Sequence, residues 1–267
     1  MFVQKLLSFV EMTNPDLCFS LRLQAATAAN RCAIMSVEHK DSTDFSPIAY
    51  EFMTEAFLTY EAEITDSSAQ KNAMIKMIGI LLSCECFETT DYEALITKTT
   101  QYAARLLKKT DQCSMVLMCS HLFFKDEVSL TCVINTNCAL DSYLCFNILL
   151  FLLQNVYQNP KRVLECLQRA LKLADMCTTA SPANLQLFVD IFEKYVYYFE
   201  RGNPYISDKF ITGLIALINE HINGIGAHHP AITNAQVQFT KILAYIEQKK
   251  TDTVVGERFI AISSSST

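Results

Sequence analysis

After Pro160 the apolar residues fall at Val163, Leu164, Leu167, Ala170, Leu171, Ala174 and Cys177. Lys161, Arg162, Glu165, Gln168, Arg169, Lys172 and Asp175 fill the positions between them. That i, i+3, i+4, i+7 spacing puts one apolar stripe on one face of a helix. After Pro182 the stripe is Leu185, Phe188, Ile191, Phe192, Tyr195, Tyr198 and Phe199, widened by Val189 and Val196. A stripe this wide suits a helix packed between neighbours on two sides.

Prolines punctuate the pattern. They occur as Asn14-Pro15, Ser46-Pro47, Asn159-Pro160, Ser181-Pro182, Asn203-Pro204 and His229-Pro230. Asn or Ser before Pro sets a capping side chain ahead of a residue whose fixed φ suits a first helical turn. The last four fall at 160, 182, 204 and 230, so each interval holds one helix and a turn. Two intervals make a helix pair of about 44–48 residues, close to the repeat of HEAT and armadillo arrays. In the first half, Ser67-x-x-Gln70 and Thr90-x-x-Glu93 match the capping box, and Thr110 and Asp111 can cap a further helix. The spacing predicts helices over 2–12, 16–36, 46–64, 67–86, 91–108, 111–125, 160–178, 183–201, 206–223 and 230–249. The fold class is therefore all-α, an α-solenoid of HEAT-like antiparallel helix pairs over residues 1–250.

Two stretches break this logic. Residues 128–157 are rich in Cys, Asn and Leu and read as an atypical apolar insertion, with an extra apolar helix expected over 139–154. Residues 251–267 end in a Ser run and are expected to be a mobile tail.

Composition agrees with helices and narrows function. The 267 residues include only 6 Gly and 6 Pro, too few for a turn-rich sheet fold. Net charge is −6 with no basic block, which argues against nucleic acid and against direct contact with anionic lipid. The longest apolar run, 142–153, is interrupted by Asn147 and falls short of a membrane span. The 11 cysteines are scattered and the N-terminus does not read as a signal peptide, so reduced cytosolic thiols acting as small core hydrophobes are expected.

Catalytic and metal patterns are weak. Cys84 and Cys86 would point about 200° apart on a helix and read as packing at a helix end. Cys113, Cys119 and His121 lack zinc-site spacing, and His228-His229 reads as a solvated loop. Ser68-x-x-Lys71 lacks the companion motifs of the hydrolases that use it. No phosphate-cradling glycine motif occurs. The expectation is no catalytic, cofactor or metal residue. Candidate partner-binding residues are polar or aromatic positions off the core stripes: Tyr197, Lys194, Glu193, Asp190, Lys108 and Lys109. Lys108 and Lys109, ending RLLKK, also read as cations at the favourable C-terminal end of a helix dipole.

Several co-linear segments carry a resemblance. AYEFMTEAFLTYEAEITDSSAQ (49–70), AARLLKKTDQC (103–113), CSHLFF (119–124), PKRVLECLQRALKLADMC (160–177) and NLQLFVDIFEKYVYYFERGN (184–203) resemble the carboxy-terminal part of the large α-solenoid subunit of retromer, the vacuolar protein sorting coat. The resemblance implies a non-enzymatic, cytoplasmic scaffold that reaches endosomal membranes only through the coat. It also implies binding of a subunit with a metallophosphoesterase-like fold, and retrieval of transmembrane cargo to the Golgi or plasma membrane. Self-association and recruitment of actin-regulatory and Rab-regulatory factors are further implied; the alternative is another helical-repeat adaptor or coat subunit in trafficking. The arrestin-subunit motif of the family is missing, as expected of a fragment or an incomplete gene model. The family has a short polar loop where 127–157 stands here, so residues 128–154 are expected to be a lineage insertion or a translated intron.

Overall fold

A computed structural model describes residues 2–39, 43–125, 157–226, 229–252 and 256–263. Within them the fold is all-α, of the solenoid type, built from helices packed in pairs. The described residues fall into two compact units, one within Met1–Leu106 and His121–Gln158, the other within Leu107–Ser120 and Asn159–Thr267.

The first unit holds α1 (Phe2–Thr13), α2 (Pro15–His39), α3 (Ser46–Glu63), α4 (Ser67–Ser83) and α5 (Thr89–Ala103). Asn14 separates α1 from α2, and its Oδ1 accepts from the Leu17 N–H at 3.0 Å, the expected cap ahead of Pro15. Phe19, Leu23, Met53, Phe57, Met74 and Met77 fill the core between these helices. One charged side chain lies inside it: Arg22 is 7% exposed and pairs with Glu11 of α1 at 2.6 Å and Glu55 of α3 at 3.3 Å.

The second unit holds α6 (Lys109–Cys119), α7 (Pro160–Thr178), α8 (Leu185–Glu200), α9 (Asp208–Ile225), α10 (Thr233–Lys250) and the short α11 (Gly256–Phe259). Helix α8 is its centre, packing on α6, α7, α9 and α10. That explains its wide apolar stripe: Leu185, Phe188, Ile191, Phe192, Tyr195 and Tyr198 are all nearly fully buried. The Tyr198 hydroxyl lies 2.9 Å from Ser120 Oγ, so its one polar atom is satisfied inside the core. Helix α8 stops at a Schellman turn, with Gly202 N–H donating to Phe199 O and Asn203 N–H to Tyr198 O. Gly202 sits at φ +75°, and a Cβ there would also meet the Arg258 guanidinium at 2.5 Å.

Several local expectations are corrected. The cap of α4 is Asp66, whose carboxylate accepts from Ser68 and Ala69 N–H; Gln70 reaches back to Ile64 O rather than closing a box with Ser67. Helix α5 starts at Thr89 after an uncapped Glu88, so Thr90 and Glu93 form no box either. The helix expected over 111–125 ends at Cys119 and continues as a 3₁₀ turn, Ser120–Phe123. Helix α6 starts after Lys108 and contains Lys109, without a side-chain cap from Thr110 or Asp111. Lys108 and Lys109 therefore stand at the positive N-terminal end of α6, the unfavourable end for a cation, and Asp111 in the first turn offsets them. Asn159 caps α7 as expected, accepting from Arg162 N–H at 3.2 Å. Asn203 instead caps a turn through Tyr205 N–H and ties to Pro160 O, and α9 begins only at Asp208.

Cys84 and Cys86 lie past the end of α4, where Asn30 Oδ1 accepts from the Glu85 and Cys86 N–H groups at 2.9 and 3.0 Å. Among the eight described cysteines only Cys32 is exposed. Burial pushes the thiols of Cys84 up to about 11, and of Cys86, Cys113 and Cys166 to about 12. Within the expected tail, α11 buries Phe259 edge-on against Phe199, with ring centroids 5.2 Å apart. The helix expected over 139–154 and nearly all of the insertion lie outside the described residues.

Candidate partner-binding groove

The second unit carries an open groove of about 560 Å³ between α8 and α10. Glu193, Val196, Tyr197, Glu200 and Arg201 line one side, and Gln238, Lys241, Ile242 and Tyr245 the other. The arrangement follows from helical periodicity. The core stripe of α8 points Phe192, Tyr195 and Phe199 inward, which leaves 193, 197 and 200–201 at the stripe's edge. On α10 the buried residues Phe239, Ile242 and Ile246 turn Gln238, Lys241 and Tyr245 toward the groove.

Most of its polar groups are held. Gln238 Nε2 donates to Glu193 Oε2 at 2.7 Å, and its Oε1 accepts from Gln186 Nε2 at 2.6 Å. Gln186 also donates to Asp190 at 2.8 Å. Burial pushes the Asp190 carboxyl up, and the hydrogen bonds from Gln186 and Gln238 offset only part of that. The Arg201 guanidinium stacks 3.6 Å from the Tyr197 ring centroid, and the Lys194 ammonium lies 5.8 Å from it. At the far end Tyr245 Oη donates to Glu200 Oε2 at 2.6 Å, and Lys249 pairs with Glu200 Oε1 at 2.8 Å.

Burial alone would raise the Glu200 pKa, but the Lys249 and Tyr245 hydrogen bonds with the nearby cationic charges outweigh it. The carboxyl is held below its ordinary value of 4.5. A carboxylate whose folded pKa is depressed stabilises the fold above its unfolded pKa and loses that contribution as pH falls through the folded value. Glu200→Gln is therefore expected to lower stability at pH 7, by less than a core truncation does. The gap to the native chain should close as pH is taken below about 4.5 toward 3. Denaturant melts of both chains across that range check it.

Of the six residues proposed from sequence, Glu193 and Tyr197 line the groove. Asp190 and Lys194 border it through Gln186, Gln238 and the Tyr197 ring. Lys108 and Lys109 are exposed at the start of α6 and do not line it. Tyr197 is half-buried rather than fully exposed, because Arg201 covers its face. Sequence reasoning missed Glu200, Arg201, Gln238, Lys241 and Tyr245. The i, i+4 pair Lys241 and Tyr245 was the available signal, but a polar face gives no hint of which neighbour it meets. Among the described residues no group of three or more His, Cys, Asp or Glu side chains could hold a metal ion, and no helix is long and apolar enough to cross a membrane.

Stacked helix pairs with a side-chain groove along one of them define an all-α helical-repeat protein of the solenoid class. Within that class the chain belongs to the vacuolar protein sorting-associated protein 35 family, whose model matches residues 1–221. It is 36% identical over 256 residues to vacuolar protein sorting-associated protein 35A of Arabidopsis thaliana, covering 93% of this chain and 27% of that one. It is 36% identical over 216 residues to vacuolar protein sorting-associated protein 35 of Schizosaccharomyces pombe, covering 81% of this chain and 22% of that one. The chain thus spans about a quarter of the length of the curated relatives it matches.

Proposed function

We propose that this chain is a non-enzymatic scaffold segment of the retromer coat, and that the α8/α10 groove helps seat the metallophosphoesterase-fold subunit. Family membership supports the retromer assignment. The observation that carries the site is the groove itself, where Tyr197, Arg201, Lys241 and Tyr245 line one exposed cleft. Tyr and Arg are the residues enriched where protein interfaces concentrate their binding energy. The groove carboxylates are engaged already, Glu200 by Lys249 and Tyr245 and Glu193 by Gln238, which favours a recognition surface over general acid–base chemistry. The segment would serve endosome-to-Golgi or plasma-membrane retrieval of transmembrane cargo, on the cytoplasmic face of endosomes. Self-association and contact with actin-regulatory and Rab-regulatory factors belong to the same reading.

Affinity measurements on groove variants test the site. Tyr197→Ala and Lys241→Glu are each expected to weaken binding of that subunit about tenfold, which is about 1.4 kcal/mol. Lys108→Ala, outside the groove, should leave it within about twofold. Equal losses from all three, or none from the groove pair, would move the site elsewhere.

A further inference from the structure

We infer that residues 128–154 are the translation of an intron retained in frame, and that the working protein joins Glu127 directly to Asn155. Composition first sets the segment apart. Its 27 residues contain a single charged side chain, Asp141, in a chain that is 19% charged overall.

Both ends can be written as splice junctions. Glu127-Val128-Ser129 can be encoded by GAG GTA AGT or GAG GTG AGT, a consensus 5′ junction cut between the Glu and Val codons. At the other end, the codons for Phe151-Leu152-Leu153 can be a run of pyrimidines, and a CAG codon for Gln154 would close a 3′ junction. At three nucleotides per codon the segment is 81 nucleotides, so both cuts fall between codons and the frame survives. The same reading explains the apolar character without invoking a fold. Codons with U at their second position encode Phe, Leu, Ile and Val, and a pyrimidine tract in this frame can read as Leu149-Leu150-Phe151-Leu152-Leu153.

The geometry of the flanks fits excision. Phe124 and Gln158 face each other in an antiparallel bridge, and the Lys125 N–H donates to Tyr157 O at 3.1 Å. The same neighbour fixes both strands of that bridge. Lys125 Nζ lies 4.3 Å from the Tyr92 ring centroid and donates to Cys84 O at 2.6 Å; the Tyr157 ring meets Tyr92 edge-on at 5.4 Å. The chain therefore returns to the point at which it left. Removing 128–154 leaves Asp126, Glu127, Asn155 and Val156 to join Lys125 to Tyr157. Four residues are an ordinary hairpin connection, and Asp and Asn are turn formers. Lys125 and Tyr157 already face each other at the two ends of that connection.

The test compares cDNA with genomic DNA across the codons for Phe124 to Pro160 in the organism that carries the gene. The endogenous protein is then digested with trypsin. The expected results are a major cDNA product 81 nucleotides shorter than the genomic one and a peptide running Asp126-Glu127-Asn155-Val156 through to Lys161. A full-length cDNA as the major product, with peptides crossing Glu127–Val128, overturns the inference. The recombinant chain lacking 128–154 should melt at or above the temperature of the chain that keeps them. A deleted chain that fails to fold overturns the geometric argument.

Discussion

Phe192→Ala is expected to cost the second unit about 3–5 kcal/mol. Phe192 is fully buried at the middle of α8, and its ring lies 5.6 Å from Phe239 of α10. Truncation removes the transfer energy of the ring and leaves a cavity that four surrounding helices can close only in part. The loss should appear as a lower urea midpoint with an unchanged slope. Phe192→Leu should cost markedly less, because it keeps most of the volume. Leu107→Ala, at a position 78% exposed, should stay within about 0.5 kcal/mol. A Phe192→Ala loss below about 1 kcal/mol would mean that α8 is not the centre of its unit.

The first unit depends on a different kind of contact. Arg22→Ala is expected to cost about 3–4 kcal/mol, the lower part of the range for breaking a buried pair, since Glu11 and Glu55 keep some solvent. Their side chains are 30% and 27% exposed against 8% for Arg22. Arg22 ties three helices: it pairs with Glu11 of α1 and Glu55 of α3, and donates to Thr59 Oγ1, which donates in turn to Glu11 at 2.8 Å. The hydrogen bond from Arg22 holds the Glu11 carboxyl below its usual range, more strongly than burial raises it. The stability it brings is present above about pH 4.5 and is lost as pH falls through the lower folded value. The gap between Arg22→Ala and the native chain should therefore shrink in acid. The triple variant Arg22→Met, Glu11→Gln, Glu55→Gln should recover part of the loss, because no unpaired charge of the cluster then remains. Urea melts of the three chains at pH 7 and pH 3.5 check both statements.

Legibility in the sequence depended on how much of each element's identity was local. Helices α7 and α8 are readable nearly to the residue, because their apolar stripes, and for α7 an Asn-Pro start, specify them without reference to anything distant. Asp66 is not legible as the cap because Ser67 one position later is an equally good capping residue, and only backbone angles separate them. Lys108 and Lys109 read as the end of the preceding helix because the turn 104–107 contains neither Gly nor Pro. Half of the groove was visible as the off-stripe edge of α8. The other half was not, since Gln238, Lys241 and Tyr245 look like any solvated face until α10 is placed against α8. Arg22 was unreadable for the same reason: its partners lie 11 and 33 positions away, and nothing local marks an arginine that will be buried.

Family membership places the chain with the retromer subunits, and its grip on another protein is the proposal to be tested. Its most direct test is calorimetric titration of the metallophosphoesterase-fold subunit into the purified chain, with and without residues 128–154. The account predicts one-to-one binding at about micromolar affinity or tighter, with a negative heat-capacity change from buried apolar surface. Flat titrations for both forms, at concentrations where each is folded, would contradict it.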